Sequence, residues 1–562
     1  MNALRSLTRF LPWLICVLVA LFYLLEFKLV LPALDVSSFQ ALGLSLYEAA
    51  SSWLLFAGAL SLSLLGCYDV LQGKHAILRN YPVTGHLRFL FENFRPEIRQ
   101  YLIEGDRDAV PFSRNQRALV YKRSKSLPDT QAFGTIDTPY RENYEWLNHS
   151  AQPLASPAIQ DLRIQVGGST CRQPYSLSLF NISAMSFGAL SGNAILALNK
   201  GAKLGNFAHD TGEGSISSYH EKYGGDLIWE IGTGYFGCRT PDGHFDRESF
   251  KAHAARDQVK MIEIKLSQGA KPGHGGLLPG SKVTAEIAYA RGVPIGQDCH
   301  SPAAHSAFDS PLGLMRFIGE LRALSGSKPV GFKLCVGQVI EWFAIIKAMQ
   351  ETGVTPDFIV VDGSEGGTGA APVEYSDHIG MPLREGLQLV HATLVGAGLR
   401  DQIRIGASGK IISAFDVLRT CALGADWVNS ARGFMFALGC IQSRSCNTDR
   451  CPTGVATQDP YRQHALDPQD KAQRVANFHA NTLKAVASLL GTCGLQHPKD
   501  FTADHILRRT PQGQIETLSR HLFTLEPGVL KSNEAKAALD RYAPDLGRFW
   551  EMADPKVWHQ HS

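Results

Sequence analysis

The chain has 562 residues, 44% of them apolar and 19% charged, with a net charge of +3 at neutral pH. That balance excludes an electrostatic binder of nucleic acid, and the length allows one large domain with accessories. Eleven cysteines, most of them scattered, do not make a secreted disulfide framework, so the main body reads as cytoplasmic.

The N-terminus differs from the rest. FLPWLICVLVALFYLL (10–25) is uncharged, and FKLVLPAL continues it after Glu26, with Lys28 a second interruption. A further uncharged run, AASSWLLFAGALSLSLLGCY (49–68), has the length of a membrane-crossing helix. Asp35 and Glu48 lie between the runs, whereas Arg5 and Arg9 precede them and Lys74, Arg79, Arg88 and Arg95 follow. The excess of cations outside the pair predicts a transmembrane hairpin over 1–75. Both ends then lie in the cytoplasm, and the chain sits in the inner (cytoplasmic) membrane with its body facing the cytoplasm. Residues 76–160 turn polar and basic and read as lead-in helices and extended chain. They suit either a membrane-surface collar or a solvated segment packed on the main domain.

From about residue 175 a rhythm sets in, with a short apolar run, a Gly- or Ser-containing turn, then a helical pattern. The runs are 177–186, 206–211, 261–267, 294–300, 329–335, 357–363, 403–409 and 426–432. Eight strands alternating with helices predict a (β/α)8 TIM barrel over 161–470. A doubly wound open sheet would carry a Gly-rich phosphate turn after its first strand, and that turn is missing here. The second connection, 212–260, is too long for a bare helix and predicts an inserted excursion. Residues 471–562 form a helical extension, in which the amphipathic 476–495 stretch is expected to close the barrel base.

Barrel enzymes keep their chemistry at the C-terminal ends of the strands. GASGK (406–410) follows the seventh run and NSARG (429–433) the eighth, at the two loops where barrels hold phosphates. Ser408, Gly409 and Lys410 suit one set of phosphate oxygens; Ser430, Ala431 and Arg432 suit another. Lys333, in an aliphatic neighbourhood at the end of the fifth run, offers a cation to an anionic ring or pairs with a carboxylate. Gly366 and Gly367, in EGGTGAAP (365–372), let a flat ring approach the backbone. Finally, GCIQSRSCNTDRCPTG (439–454) spaces Cys440, Cys446 and Cys451 as C-x5-C-x4-C. Zinc favours four ligands in C-x2-C pairs, so the three thiols either ligate an iron–sulfur cluster or remain unligated.

Taken in order, ISAMSFGALS (182–191), DTGEGS (210–215), IEIKLSQGAKPG (262–273), EGGTGAAP, GASGK and GCIQSRSCNTDRCPTGVATQDP (439–460) resemble the synthase domain of FMN-binding glutamate synthases. The resemblance covers roughly residues 170–510 and is closest to stand-alone members of that family. It implies a barrel that binds FMN beside a [3Fe–4S] cluster ligated by Cys440, Cys446 and Cys451. It places Ser186, Gln268, Lys333, Ser408, Gly409 and Lys410 against FMN, and Glu213, Lys271 and Arg291 around a 2-oxoglutarate pocket. The implied reaction is reductive amination of an oxo acid with ammonia, with electrons from an external ferredoxin or reductase subunit. Three departures stand out. The N-terminal glutaminase domain of full synthases is replaced by the expected hairpin. His274 and Leu277 stand where the family usually has Glu and Gln, and Ser364 where a His is common. These changes leave a second expectation open, a flavin and iron–sulfur electron-transfer module serving another substrate with a membrane partner.

Overall fold

The structure, a computed structural model, describes residues 8–30, 39–72, 75–105, 108 and 111–559. The chain divides into two compact units, Met1–Gly105 and Asp106–Ser562.

In the first unit, helix α1 (Leu11–Val30) packs against helix α2 (Phe39–Leu71). The Trp13 indole donates to the Ser63 carbonyl at 3.1 Å, and Arg9 donates to Asn80 of the short helix Ala76–Asn80 at 3.0 Å. Among the described residues, one segment, Ser52–Leu71, is long and apolar enough to cross a membrane; the apolar part of α1, Leu11–Leu25, is shorter. The expected pair of crossings is thus matched by one such helix. Arg5, Lys74 and the connecting segment with Asp35 lie outside the described residues.

The second unit is built on a closed barrel of eight parallel strands. These are β1 (Phe180–Ile182), β2 (His209–Asp210), β3 (Leu227–Ile231), β4 (Val259–Lys265), β5 (Val330–Leu334), β6 (Phe358–Asp362), β7 (Arg404–Ser408) and β8 (Trp427–Ser430). Strand alternation sorts their side chains. Ile262, Ile264, Phe332, Ile359, Val361, Ile405 and Val428 join the main core under the outer helices. Ala208, Ile228, Met261, Phe358, Val360 and Trp427 instead fill the barrel interior, packed with Val166 and Leu177 of the hairpin Arg163–Val166/Tyr175–Ser178. That hairpin plugs the base.

Two expectations need correction. Residues 294–300 are not a barrel strand. Cys299–His300 pairs antiparallel with Leu277–Leu278 outside the barrel, and Ile295 is exposed, because this Pro- and Gly-containing stretch has no apolar run to bury. The missing strand is LIWEI (227–231), buried at every position, and the long excursion follows β4 rather than the second strand. The amphipathic stretch at 476–495 belongs to helix Pro468–Thr492, which packs against helices Gly192–Gly205, Arg114–Ser124 and Arg432–Leu438. It therefore takes a place in the outer ring and does not close the base. Helix Arg114–Ser124, opened by a Ser113–Gln116 capping box, brings the lead-in segment onto the barrel flank.

Candidate functional site

Strand register stacks charge above the apolar plug. Ile228 pairs with Met261 and, two residues on, Glu230 pairs with Glu263; Lys333 pairs with Lys265. All four side chains point into the barrel because they are even steps from interior residues. Lys333 Nζ lies 2.8 Å from Glu230 and 3.9 Å from Glu263, while Lys265 Nζ lies 2.6 Å from Glu213 and 4.0 Å from Glu230. Burial opposes the Lys333 charge, but Glu230, Glu263 and Asp210 hold its pKa well above the ordinary value. Three carboxyls around one ammonium cannot all ionise cheaply. Burial and the Asp210 charge push the Glu263 pKa well above the ordinary carboxyl value, and both of its carboxyl oxygens lack a hydrogen-bond partner. Asp210 rises to about 7, through burial and Glu230. Oxygens of Asp210, Glu230 and Glu263 lie within 4.8 Å of one another, a spacing an ion could use, but the Lys333 ammonium already serves them.

Beside this layer a cavity opens at the strand ends. Its lining brings together nine of the ten residues expected against the cofactor: Gln268, Lys333, Gly366, Gly367, Ser408, Gly409, Lys410, Ser430 and Arg432. The tenth, Ser186, packs instead against Gly214, 2.8 Å from where a Cβ there would sit, and Ser183 and Ala184 line the cavity from that strand end. A Cβ at Gly367 would sit 2.8 Å from Arg432 Nε, and one at Gly366 3.2 Å from Gly269 Cα, so bare backbone is required along this wall. Asp362 fixes the rim by accepting from the Gly269 N–H at 2.8 Å and from Ser408 Oγ at 2.5 Å. Among the described residues, the N–H groups of Gly409, Lys410 and Ile411 donate to no protein group. Burial, then Arg432, lowers the Lys410 pKa; burial lowers Arg432 to about 10 against the pull of Asp362 and Glu365. Two adjacent, partly desolvated cations and a row of free donors suit a phosphate.

Next to the cavity, Lys265 links two groups, donating to Gln268 Oε1 at 3.1 Å and pairing with Glu213. Glu213 rides on a turn shaped by Asp210, whose carboxylate accepts the N–H of Gly212 (φ 63°) at 3.0 Å. Burial would raise the Glu213 pKa, but Lys265, Lys271 and Arg291 outweigh it and bring it to about 2. Arg291 ends the helix Ala285–Arg291, which Thr284 caps at one end and left-handed Gly292 at the other. Its buried guanidinium donates to the Phe187 carbonyl at 3.1 Å and lies 5.1 Å from the Phe236 ring centre, with Nε unpartnered. Burial, offset in part by Glu213, lowers the Lys271 pKa. The expected trio Glu213, Lys271 and Arg291 is thus brought together, with one carboxylate facing three cations.

The three thiols occupy a loop with left-handed residues at Gln442, Arg444 and Asp449. Burial pushes Cys440 up to about 12 and raises Cys446, against the charge of Lys282. Cys451 is lowered: burial opposes, but N–H groups of Ala456, Thr453 and Val455 and the Thr453 hydroxyl favour its thiolate. Lys282, buried, donates to the Cys446 carbonyl at 3.1 Å. Gln442 clamps the backbone of Phe112, accepting from its N–H at 3.2 Å and donating to its carbonyl at 3.1 Å. Phe112 lines the cavity, with the Arg432 guanidinium 4.6 Å from its ring centre.

Sequence reasoning missed Lys265, Glu230, Glu263, Asp362, Phe112 and Lys282. Lys265 was visible as the polar end of IEIK; Glu230 fell within the overlooked strand; Phe112 carried no signal.

The family model described as "conserved region in glutamate synthase" matches residues 140–496. A glutamate synthase large subunit-like protein, YerD of Bacillus subtilis, is 38% identical over 80% of this chain and 92% of its own length. An archaeal glutamate synthase [NADPH] of Methanocaldococcus jannaschii is 38% identical over 56% of this chain and 58% of its own length. An archaeal-type glutamate synthase [NADPH] of Thermotoga neapolitana is 35% identical over 56% of this chain and 59% of its own length.

Proposed function

The chain belongs to the glutamate synthase family, as a glutamate synthase-like oxidoreductase of the CH–NH2 class, and from that premise we propose the reductive amination of a 2-oxo dicarboxylic acid, 2-oxoglutarate foremost, on bound FMN. The observation that carries the reading is the contiguity of two sites through one side chain: Lys265 touches both Gln268, which lines the cavity, and Glu213, at the centre of the cationic mouth.

The cavity residues fit FMN. Lys410, Arg432 and the free N–H groups of Gly409, Lys410 and Ile411 would hold its phosphate, and the Gly366–Gly367 wall admits its ring. Bound FMN supplies hydride transfer. Lys333 keeps its proton, lines the cavity, and would offer its positive charge to a reduced ring bound there. Lys271 and Arg291 would orient the two carboxylates of the acid; Glu213, ionised throughout the working pH range, holds Lys265 and Lys271 in place. Ammonia comes from free ammonium or a separate subunit, and electrons from a ferredoxin or reductase.

Cys440, Cys446 and Cys451 would hold a [3Fe–4S] cluster. A multi-iron cluster spreads its thiolates wider than one ion does, and the N–H donors to Cys451 and the Lys282 charge suit bound thiolates. The Ser52–Leu71 helix supports attachment to the inner membrane with the barrel in the cytoplasm. Leu277, 53% exposed at a position where the family usually presents Gln, favours a second reading, electron transfer to another substrate. Anaerobic purification should give one FMN and about three irons per chain. Titration of 2-oxoglutarate against flavin absorbance then separates the readings. No response at millimolar ligand would remove the glutamate-forming reaction and leave the electron-transfer one.

A further inference from the structure

After Leu71 the first unit carries an amphipathic helix, Thr84–Ile98, whose apolar face is exposed among the described residues. Leu87, Leu90, Phe91, Phe94 and Ile98 fall at i, i+3, i+4, i+7 and i+11 and so share one face. The first four are 53, 49, 63 and 50% exposed. Arg88 and Arg95, seven apart, share the flank about 100° from that face, and Arg99 follows. The three arginines line one cleft with Phe91, Ile98 and Ile103. Arg88 pairs with Glu92 at 2.9 Å. Tyr101, Leu102 and Ile103 extend the exposed apolar surface.

The helix is held at a fixed place relative to α2. Asp69, two residues before the end of the apolar segment and with its carboxylate fully buried, accepts the Val83 N–H at 2.9 Å and lies 2.9 Å from His86 Nε2. One side chain therefore pins the start of the amphipathic helix to the end of the Ser52–Leu71 segment. If that segment crosses a bilayer, its end lies at the headgroup level, and so does the helix.

We propose that Thr84–Ile98 is an interfacial helix. Leu87, Leu90, Phe91 and Phe94 enter the acyl boundary, and Arg88, Arg95 and Arg99 reach the phosphates of anionic lipids. The occupant of the face is a bilayer and not a protein groove, because the arginine flank complements anionic headgroups and the helix is tied to an apolar segment of crossing length. This rests on the membrane reading given above, and the test keeps the two apart.

Benzoylphenylalanine is placed in the full chain, one site at a time, at Leu64, Phe91 and Phe89, and the protein is reconstituted in vesicles with 30 mol% phosphatidylglycerol. Leu64 lies on the crossing segment and is 62% exposed; Phe89 points to the opposite side of the helix, its ring 6.1 Å from that of His75. On irradiation Leu64→benzoylphenylalanine and Phe91→benzoylphenylalanine should form lipid adducts, and Phe89→benzoylphenylalanine several-fold less. Arg95→Gln with Arg99→Gln should lower the adduct at position 91 at least threefold at low salt. A lipid adduct at 64 with a second chain or nothing captured at 91 overturns the inference and leaves the crossing intact. No lipid adduct at 64 overturns both. Equal adducts at 89 and 91 overturn the orientation, and an adduct indifferent to the arginine changes overturns the role of anionic lipid.

Discussion

Glu230 and Glu263 stand opposite each other on paired strands, and replacing each by Gln tests which of them holds Lys333. Glu230→Gln removes the carboxylate 2.8 Å from Lys333 and leaves a buried ammonium with Glu263 at 3.9 Å as its nearest counter-charge. Deleting one partner of a buried pair costs about 3–5 kcal/mol. Glu263 is able to ionise in compensation, which puts the expected loss near the lower end, about 3 kcal/mol. Glu263→Gln removes no hydrogen bond, since neither oxygen has a partner, and replaces a carboxyl whose ionisation burial and Asp210 disfavour by an amide of the same shape. Its cost should stay under about 1 kcal/mol. Urea unfolding of the detergent-solubilised chain at pH 7 reads both, followed through tryptophan fluorescence, because Trp229 and Trp427 are buried in and around the barrel. Equal losses, or a larger one for Glu263→Gln, would refute the assignment of Glu230 as the main partner of Lys333 and the electrostatic account of the interior with it.

Cys446→Ser should abolish iron–sulfur absorbance after anaerobic purification while much of the flavin stays bound; unchanged iron would remove the ligand assignment. Arg291→Lys should weaken 2-oxoglutarate by about 1–3 kcal/mol, since one ammonium does not reproduce a bidentate guanidinium, and leave FMN content unchanged. Glu213 has a folded pKa of about 2, below its ordinary 4.5, so its contribution is complete above pH 4.5 and is lost as pH falls towards 2. At 1.36 kcal/mol per pH unit, 4.5 minus 2 corresponds to about 3 kcal/mol, and Lys265→Met should flatten that limb of the stability curve.

The barrel was legible because seven of its strands fall in short runs that end in polar or Gly-rich turns, and the phosphate loops GASGK and NSARG lie close in sequence to the strands that aim them. LIWEI escaped because it lies in a Gly-rich, polar stretch, while PIGQDCH has strand-like length without the burial that makes a strand. The cationic mouth was legible in part. Lys271 and Arg291 stood out as cations, but Lys265 and Glu230 owe their meaning to barrel closure, which sets β3, β4 and β5 side by side and turns residues far apart in sequence into one charge network. Phe112 was out of reach for the same reason: 330 positions separate it from Gln442.

That clamp between Gln442 and Phe112 bears on where the chain can be cut. The matched family region begins at residue 140, and a shortened chain starting there would retain every barrel strand. It would lose Phe112, one wall of the cavity and the stacking partner of Arg432, and with it both hydrogen bonds that the Gln442 amide of the cysteine loop makes to the Phe112 backbone. The smallest piece that keeps the cavity whole therefore begins ahead of Phe112. A truncation at residue 140 should yield a folded but pale protein, its cofactor pocket and cysteine loop loosened together by the absence of a segment that belongs to neither.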